Sequence, residues 1–461
     1  MKAVLASLFL ALPALAGPLF TSAEREAIET FVQARFADRQ GAIVIGILDR
    51  RESVFFAAGS LDNGKDAKPG PDTIFEMGSV TKTMTSLLAL QMDRAGEVKL
   101  NGPVAHCLPA GMQVPEFKGV PITLRNLAAQ DSGLPFNPDN FEPKRFPESY
   151  NAYTAKRLYE FLVGFRLTNA PGTRFQYSNT GMALLGHALG RAGGKSYDEL
   201  IRERVARPLG IKDLWRTVPA SEIHRLAQGH DQTGKPFPYL RLQVYAGAGN
   251  LKSTAREMLK YAAANLGFTE STLTQLIKRM HREWHRGKSV FGNTAMPWVD
   301  GGVYEPKGSR LLGHAGGTGG FSTFVGFDLK QRRGVVVLSS DRAVISSPIG
   351  WTILQGLPLT PRNTSVAVRE VVGIGTGLAL DEKTGWLKIT IVFDESSAGR
   401  AGLQAGQLIK SINGQSVKGR TMPECLKMMG GQVGDEVRLE IVSNGGSQAV
   451  VLKRSRFLTA G

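Results

Sequence analysis

The chain has 461 residues, 42% apolar and 21% charged, with a formal net charge of +16 at pH 7. That length exceeds one ordinary hydrophobic core and the balance is that of a folded soluble protein, so two domains are expected. Residues 369–461 carry 12 basic against 9 acidic side chains, which leaves most of the excess on the larger N-terminal part. A scattered positive surface of this kind aids solubility and suits anionic envelope polymers or lipid headgroups, while the absence of any binding motif argues against nucleic acid.

In chain order, Lys2, the apolar run Ala3 to Leu15 and the small-x-small site Ala14-Leu15-Ala16 before Gly17 predict a signal peptide over 1–16. The mature protein is therefore expected to be secreted or periplasmic. No later stretch approaches the ~20 apolar residues of a membrane-spanning helix, and the first cysteine is Cys107, too late for a lipid anchor at the cleavage site. Cys107 and Cys425 fall in different expected domains, which predicts two buried free thiols.

Periodicity predicts a helix over Ser22–Phe36 and strands over Ala42–Leu48 and Ser53–Ala58. Next, Ser79-Val80-Thr81-Lys82 lies between a strand-like run, Thr73 to Met77, and an apolar helix, Met84 to Met92. At i and i+3 the two side chains share one face, so an amine lies against a hydroxyl that it can activate as a nucleophile. Tyr177-Ser178-Asn179 precedes a second apolar helix and puts a phenol and an amide on one short loop. The loop can serve proton transfer, or it can be a packed tyrosine followed by a helix cap.

The basic stretch Lys278 to Lys288 reads as helix, and its His281 and His285 as surface residues, because no carboxylate between them completes a metal pattern. His314-Ala315-Gly316-Gly317-Thr318-Gly319-Gly320 runs into a β-hairpin formed by Phe321–Asp328 and Gly334–Ser339. Glycines there let backbone N–H groups approach a ligand. Strands from both chain ends with helices between them predict one sheet built from the two ends. A proline-punctuated linker is expected over 358–368.

The ordered set Ser-x-x-Lys, Tyr-x-Asn and His-x-Gly resembles the serine β-lactamase-like superfamily, in the branch of class C β-lactamases, D-alanyl-D-alanine carboxypeptidases and related esterases. Residues 127–134, 171–181 and 246–255 resemble it too. The resemblance implies an α+β fold, an antiparallel sheet with flanking helices and a helical subdomain, over 17–357. It also implies an acyl-enzyme on Ser79, with Lys82 and Tyr177 accepting its proton. Asn179 would hold the acyl side chain and Lys82, His314 would hydrogen-bond the tyrosine or leaving group, and the Ser79 and Gly317 N–H groups would form the oxyanion hole. No metal, nucleotide, flavin or other cofactor is required. His314 replaces a lysine, so a permanent cation for a substrate carboxylate is lost and antibiotic turnover is expected to be slow or absent. Gln130 stands where many relatives have histidine.

Residues 369–458 resemble a small β-rich PDZ domain of bacterial type, which implies a peptide site at Gly375, Thr376, Gly377 and Leu378. An exported serine hydrolase for ester, D-amino-acid peptide or lactam substrates, with a peptide-docking module, is the leading expectation. The alternative is a non-catalytic envelope peptide-binding protein with a vestigial site.

Overall fold

The computed structural model describes residues 21–36, 39–64, 67–141, 146–282, 285–289, 292–301, 309–359, 368–381, 384–392, 396–404, 406–443 and 446–460. The predicted signal peptide and residues 360–367 of the predicted linker lie outside them. Two compact units divide at Ser365/Val366.

In the first unit, helix α1 (Ser22–Phe36) is followed by strands β1 (Ala42–Leu48) and β2 (Ser53–Gly59). A short strand β3 (Ile74–Glu76) leads through a 3-10 turn into helix α2 (Thr81–Arg94). Helices α3 (Asn179–Ala192), α4 (Ala246–Gly249) and α5 (Ala255–Asn265) follow, with strand β4 (Lys252–Thr254) pairing β3. Strands β5 (His285–Ser289), β6 (Gly292–Ala295), β7 (Trp298–Asp300), β8 (Leu311–Gly317), β9 (Ser322–Asp328) and β10 (Arg333–Ser339) precede helix α6 (Ser346–Leu354). The main sheet runs β5-β6-β7-β8-β9-β10-β1-β2, antiparallel throughout, so both ends of the unit contribute to it.

Every residue of β1 is buried because the sheet is covered on both faces. Ile43, Ile45 and Ile47 pack with Ile28, Val32 and Phe36 of α1 and with Ile349 and Ile353 of α6. Val44 and Leu48 point the other way, into the core that holds Leu259 of α5 and the apolar face of α2. Alternation along β10 divides in the same manner, with Val335 and Val337 on one side and Val336 and Leu338 on the other.

Two expectations are corrected. The stretch Lys278 to Lys288 is not one helix: a helix ends at Met280 and β5 starts at His285. β5 is an edge strand of the sheet. His281 is buried rather than on the surface, with Nε2 2.9 Å from Asn265 Oδ1, and burial lowers its pKa to about 3. Both cysteines are free, Cys425 buried and Cys107 half-buried.

The second unit contains strands β11 (Val368–Gly373), β12 (Thr376–Leu380), β13 (Leu387–Val392) and β14 (Leu408–Ile412), helix α7 (Met422–Met429), then β15 (Glu436–Ser443), β16 (Gly446–Lys453) and β17 (Ser455–Ala460). Its sheet runs β12-β13-β14-β15-β16, and β11 pairs β17. The glycine turn before β12 is held by Ser396 Oγ and Ser397 Oγ, which donate to the carbonyls of Gly375 and Ile374.

Candidate active site

Ser79 sits in the 3-10 turn Gly78–Val80 at the head of α2. That turn is pinned from two sides: Met77 N donates to Leu251 O at 2.8 Å, and Thr323 Oγ1 of β9 donates to Met77 O at 2.9 Å. Only glycine fits at 78, where φ is +50° and an added Cβ would lie 2.6 Å from Gly317 N. The close approach brings the backbones around Ser79 and Gly317, the two expected oxyanion donors, side by side.

Lys82 is fully buried in the first turn of α2. Its Nζ lies 2.9 Å from Ser79 Oγ and donates to Ala248 O at 2.6 Å. Burial alone lowers its pKa to about 7, since a desolvated ammonium without a carboxylate partner is disfavoured. The Tyr177 ring stands 5.0 Å from the same Nζ, and its hydroxyl hydrogen-bonds Ser79. Burial raises the Tyr177 pKa above its ordinary value, outweighing the bond to Ser79. At neutral pH the phenol therefore stays protonated, while the amine is unprotonated in about half of the molecules and can there take a proton.

His314, on β8, is buried, and burial lowers its pKa to about 4, with the neighbouring Lys82 charge acting in the same direction. Its Nδ1 lies 2.7 Å from Ala315 O, and Nε2 has no hydrogen-bond partner among the described residues. The ring centroid is 6.2 Å from that of Tyr177, and with Nε2 unbonded among the described residues His314 makes no hydrogen bond to Tyr177, the first of its two expected partners; the second was the leaving group. Nor does Asn179 hold Lys82: Ala248 O takes that place, and Asn179 Nδ2 reaches Tyr150 Oη at 3.4 Å. Ser178 caps α3 through its side chain, so the capping role and the placing of Tyr177 coexist on one loop.

Two residues extend the expected set. Gln130 occupies the left-handed region at φ +61° and is buried. Its backbone carbonyl accepts from Gln176 N at 2.7 Å, and its side-chain Oε1 accepts from Ser178 N at 2.5 Å. These two bonds bracket Tyr177. Arg342, just beyond β10, was not singled out by any motif. Its Nη2 lies 3.4 Å from where a Cβ on Gly317 would be. Among the described residues its side chain makes no ion pair or hydrogen bond, and burial lowers its pKa. No group of acidic, histidine or cysteine side chains suited to a metal occurs among the described residues.

The family model described as Beta-lactamase matches residues 28–352, and a PDZ domain model matches 389–443. The D-alanyl-D-alanine-carboxypeptidase/endopeptidase AmpH of Escherichia coli (strain K12) is 29% identical over 302 residues, covering 63% of this chain and 77% of the relative. A crystal structure of a class C β-lactamase from Rhodobacter sphaeroides aligns with a TM-score of 0.61 at 25% identity, over 73% of this chain and 98% of that one. The β-lactamase/D-alanine carboxypeptidase from Yersinia pestis, complexed with citrate, aligns with a TM-score of 0.58 at 25% identity, over 68% and 93%.

Removing the acceptor that fixes the Tyr177 loop leaves Ser178 N–H buried and unsatisfied, which costs about 1–3 kcal/mol. Gln130→Met is expected to lose that much stability in urea unfolding and to lower kcat, whereas Gln130→Glu, which keeps an oxygen there, retains more of both.

Proposed function

The chain belongs to the β-lactamase family of serine hydrolases, and from that premise we propose that it hydrolyses amides or esters through an acyl-enzyme on Ser79. The observation that carries this reading is the contact of Ser79 Oγ with a buried Lys82 whose pKa lies near 7. The neutral amine takes the Ser79 proton as Oγ bonds to the substrate carbonyl carbon. The N–H groups of Ser79 and Gly317 stabilise the oxyanion, each such donor being worth about 3 kcal/mol. As the carbon–leaving-group bond breaks, Tyr177 donates its proton to the departing nitrogen or oxygen and is reprotonated from Lys82. Water then attacks the ester, gives its proton to the same pair and releases a carboxylic acid and free Ser79.

The substrate class favoured is a D-alanyl peptide or penicillin, both of which carry a carboxylate on the leaving side. Arg342 supports this, as an unpaired guanidinium against Gly317 supplies the cation that a neutral His314 cannot. It also revises the expectation from His314 alone that carboxylate binding is weak. The 1–16 segment supports export, and no helix of the described residues is long and apolar enough to cross a membrane. In the second unit, β12 stands at the end of its sheet order, and its outer edge suits an added peptide strand next to Gly375, Thr376, Gly377 and Leu378.

Intact-mass spectrometry after exposure to a p-nitrophenyl ester, a penicillin and a D-alanyl-D-alanine peptide is the direct test. An adduct or turnover present in the native protein and absent from Ser79→Ala is expected; equal reactivity of the variant would refute the nucleophile. Protonation of Lys82 removes the base, so kcat/KM is expected to fall as pH drops through about 7. A profile flat from pH 5 to 9 would rule Lys82 out. Arg342→Ala is expected to lower kcat/KM for a peptide with a free C-terminal carboxylate about tenfold or more relative to its amide, since a charge-assisted bond contributes about 1.5–3 kcal/mol.

A further inference from the structure

The guanidinium of Arg342 makes no ion pair or hydrogen bond among the described residues, so its place beside Gly317 is set by its backbone and by burial. The turn that carries it, just beyond β10, is tied on three sides. Arg342 N donates to His230 O at 2.9 Å, and His230 N donates to Ser340 O at 2.8 Å, which brackets residue 341 with two bonds to one residue of a distant loop. His230 N also reaches Gly320 O at 3.2 Å, three residues beyond Gly317. Asp341 supplies the third tie: its Oδ1 accepts from Ala343 N at 2.8 Å, so the residues on either side of Arg342 are locked together.

The Asp341 carboxylate is buried, at 3% exposure, and its other oxygen accepts from Arg39 Nε at 2.6 Å. Arg39 lies between α1 and β1, 302 positions away in sequence, with its side chain 35% exposed. An anion therefore adjoins in sequence the cation that receives the substrate carboxylate in the reading of the preceding subsection, on which this inference rests. A buried carboxylate without a partner is unfavourable and its field is poorly screened. Left alone, Asp341 would offset the Arg342 charge and repel an incoming carboxylate. The turn nevertheless needs Asp341 for Ala343 N. Arg39 reconciles the two demands, since it neutralises one oxygen and leaves the other to hold the turn.

We propose that Arg39 is a positioning residue for recognition on the leaving side: by holding the Asp341 carboxylate, it keeps Arg342 available to the terminal carboxylate of the substrate. Arg39 itself touches no reacting atom, and the covalent steps are unchanged.

The test uses the full chain with one D-alanyl-D-alanine peptide, as the free acid and as its C-terminal amide, taking Ser79→Ala rates as background. The readout is the ratio of kcat/KM for the acid over the amide, which cancels losses of folded protein. Arg39→Met is expected to lower that ratio about fivefold, on the scale of one uncompensated charge near the site. Arg39→Lys, which keeps a cation, is expected to hold most of it. Adding Asp341→Asn to Arg39→Met removes the stranded charge but keeps an oxygen for Ala343 N, so the ratio is expected to return towards the native value. A ratio unchanged by Arg39→Met would overturn the proposal. So would a fall that Asp341→Asn fails to reverse, which is the result of a turn that has merely loosened, or an equal fall when Arg39→Met is made in Arg342→Ala. If Arg342→Ala leaves the ratio at the native value, or the native protein shows no Ser79-dependent hydrolysis of the acid, the reading of the preceding subsection fails, and this inference with it.

Discussion

The site depends on one desolvated amine. Lys82 is buried to 0% exposure with no carboxylate among the described residues in ion-pair reach, and its pKa falls from 10.5 to about 7. At 1.36 kcal/mol per unit, that shift means the surroundings disfavour the ammonium by about 5 kcal/mol. What the fold supplies instead is one carbonyl, Ala248 O, and one hydroxyl, Ser79 Oγ. A carboxylate in place of Ala248 O would restore the charge and remove the base. The packing around Lys82 is therefore part of the chemistry, and the apolar face of α2 has to be complete for the amine to be useful.

The same environment sets the state of its neighbours. Tyr177 is driven towards the protonated phenol and His314 towards the neutral imidazole, each mainly by burial. The only charge of this cluster near pH 7 is that of Lys82, about half present there, whereas Arg342 is a permanent cation beside Gly317.

Much of this was legible in the sequence where information is local. The apolar run Ala42 to Leu48 marked a strand, and Ser79 with Lys82 declared its geometry through helical spacing alone. The parts that escaped reading depend on contacts across the chain. Gln130 matters through the backbone of residues 176 and 178, nearly fifty positions on, and nothing in its neighbours announces that. His281 looked like part of a solvated basic run until Asn265 and Phe327 enclosed it. Asn179 and Ala248 exchanged the role of holding Lys82, because a helix of four residues, Ala246–Gly249, brings a carbonyl where an amide side chain was expected. The loops that carry Phe146 and Phe237 have no periodic pattern, so the stacking of these two rings could be found only in three dimensions.

The placing of β1 between β10 and β2 bears on how the chain comes to be folded. Ile43 pairs with Ser339, about 300 residues later, so the central seam of the sheet closes one of the longest loops the unit can form. Closure on that scale costs about 5 kcal/mol of chain entropy before any pairing repays it. High contact order of this kind slows folding and leaves one edge of the apolar strand Ala42–Leu48, the edge away from β2, unpaired until β10 has been made. During synthesis that edge waits for its partner. A chain with this wiring holds an open strand edge over that interval and needs protection from edge-to-edge aggregation until it closes.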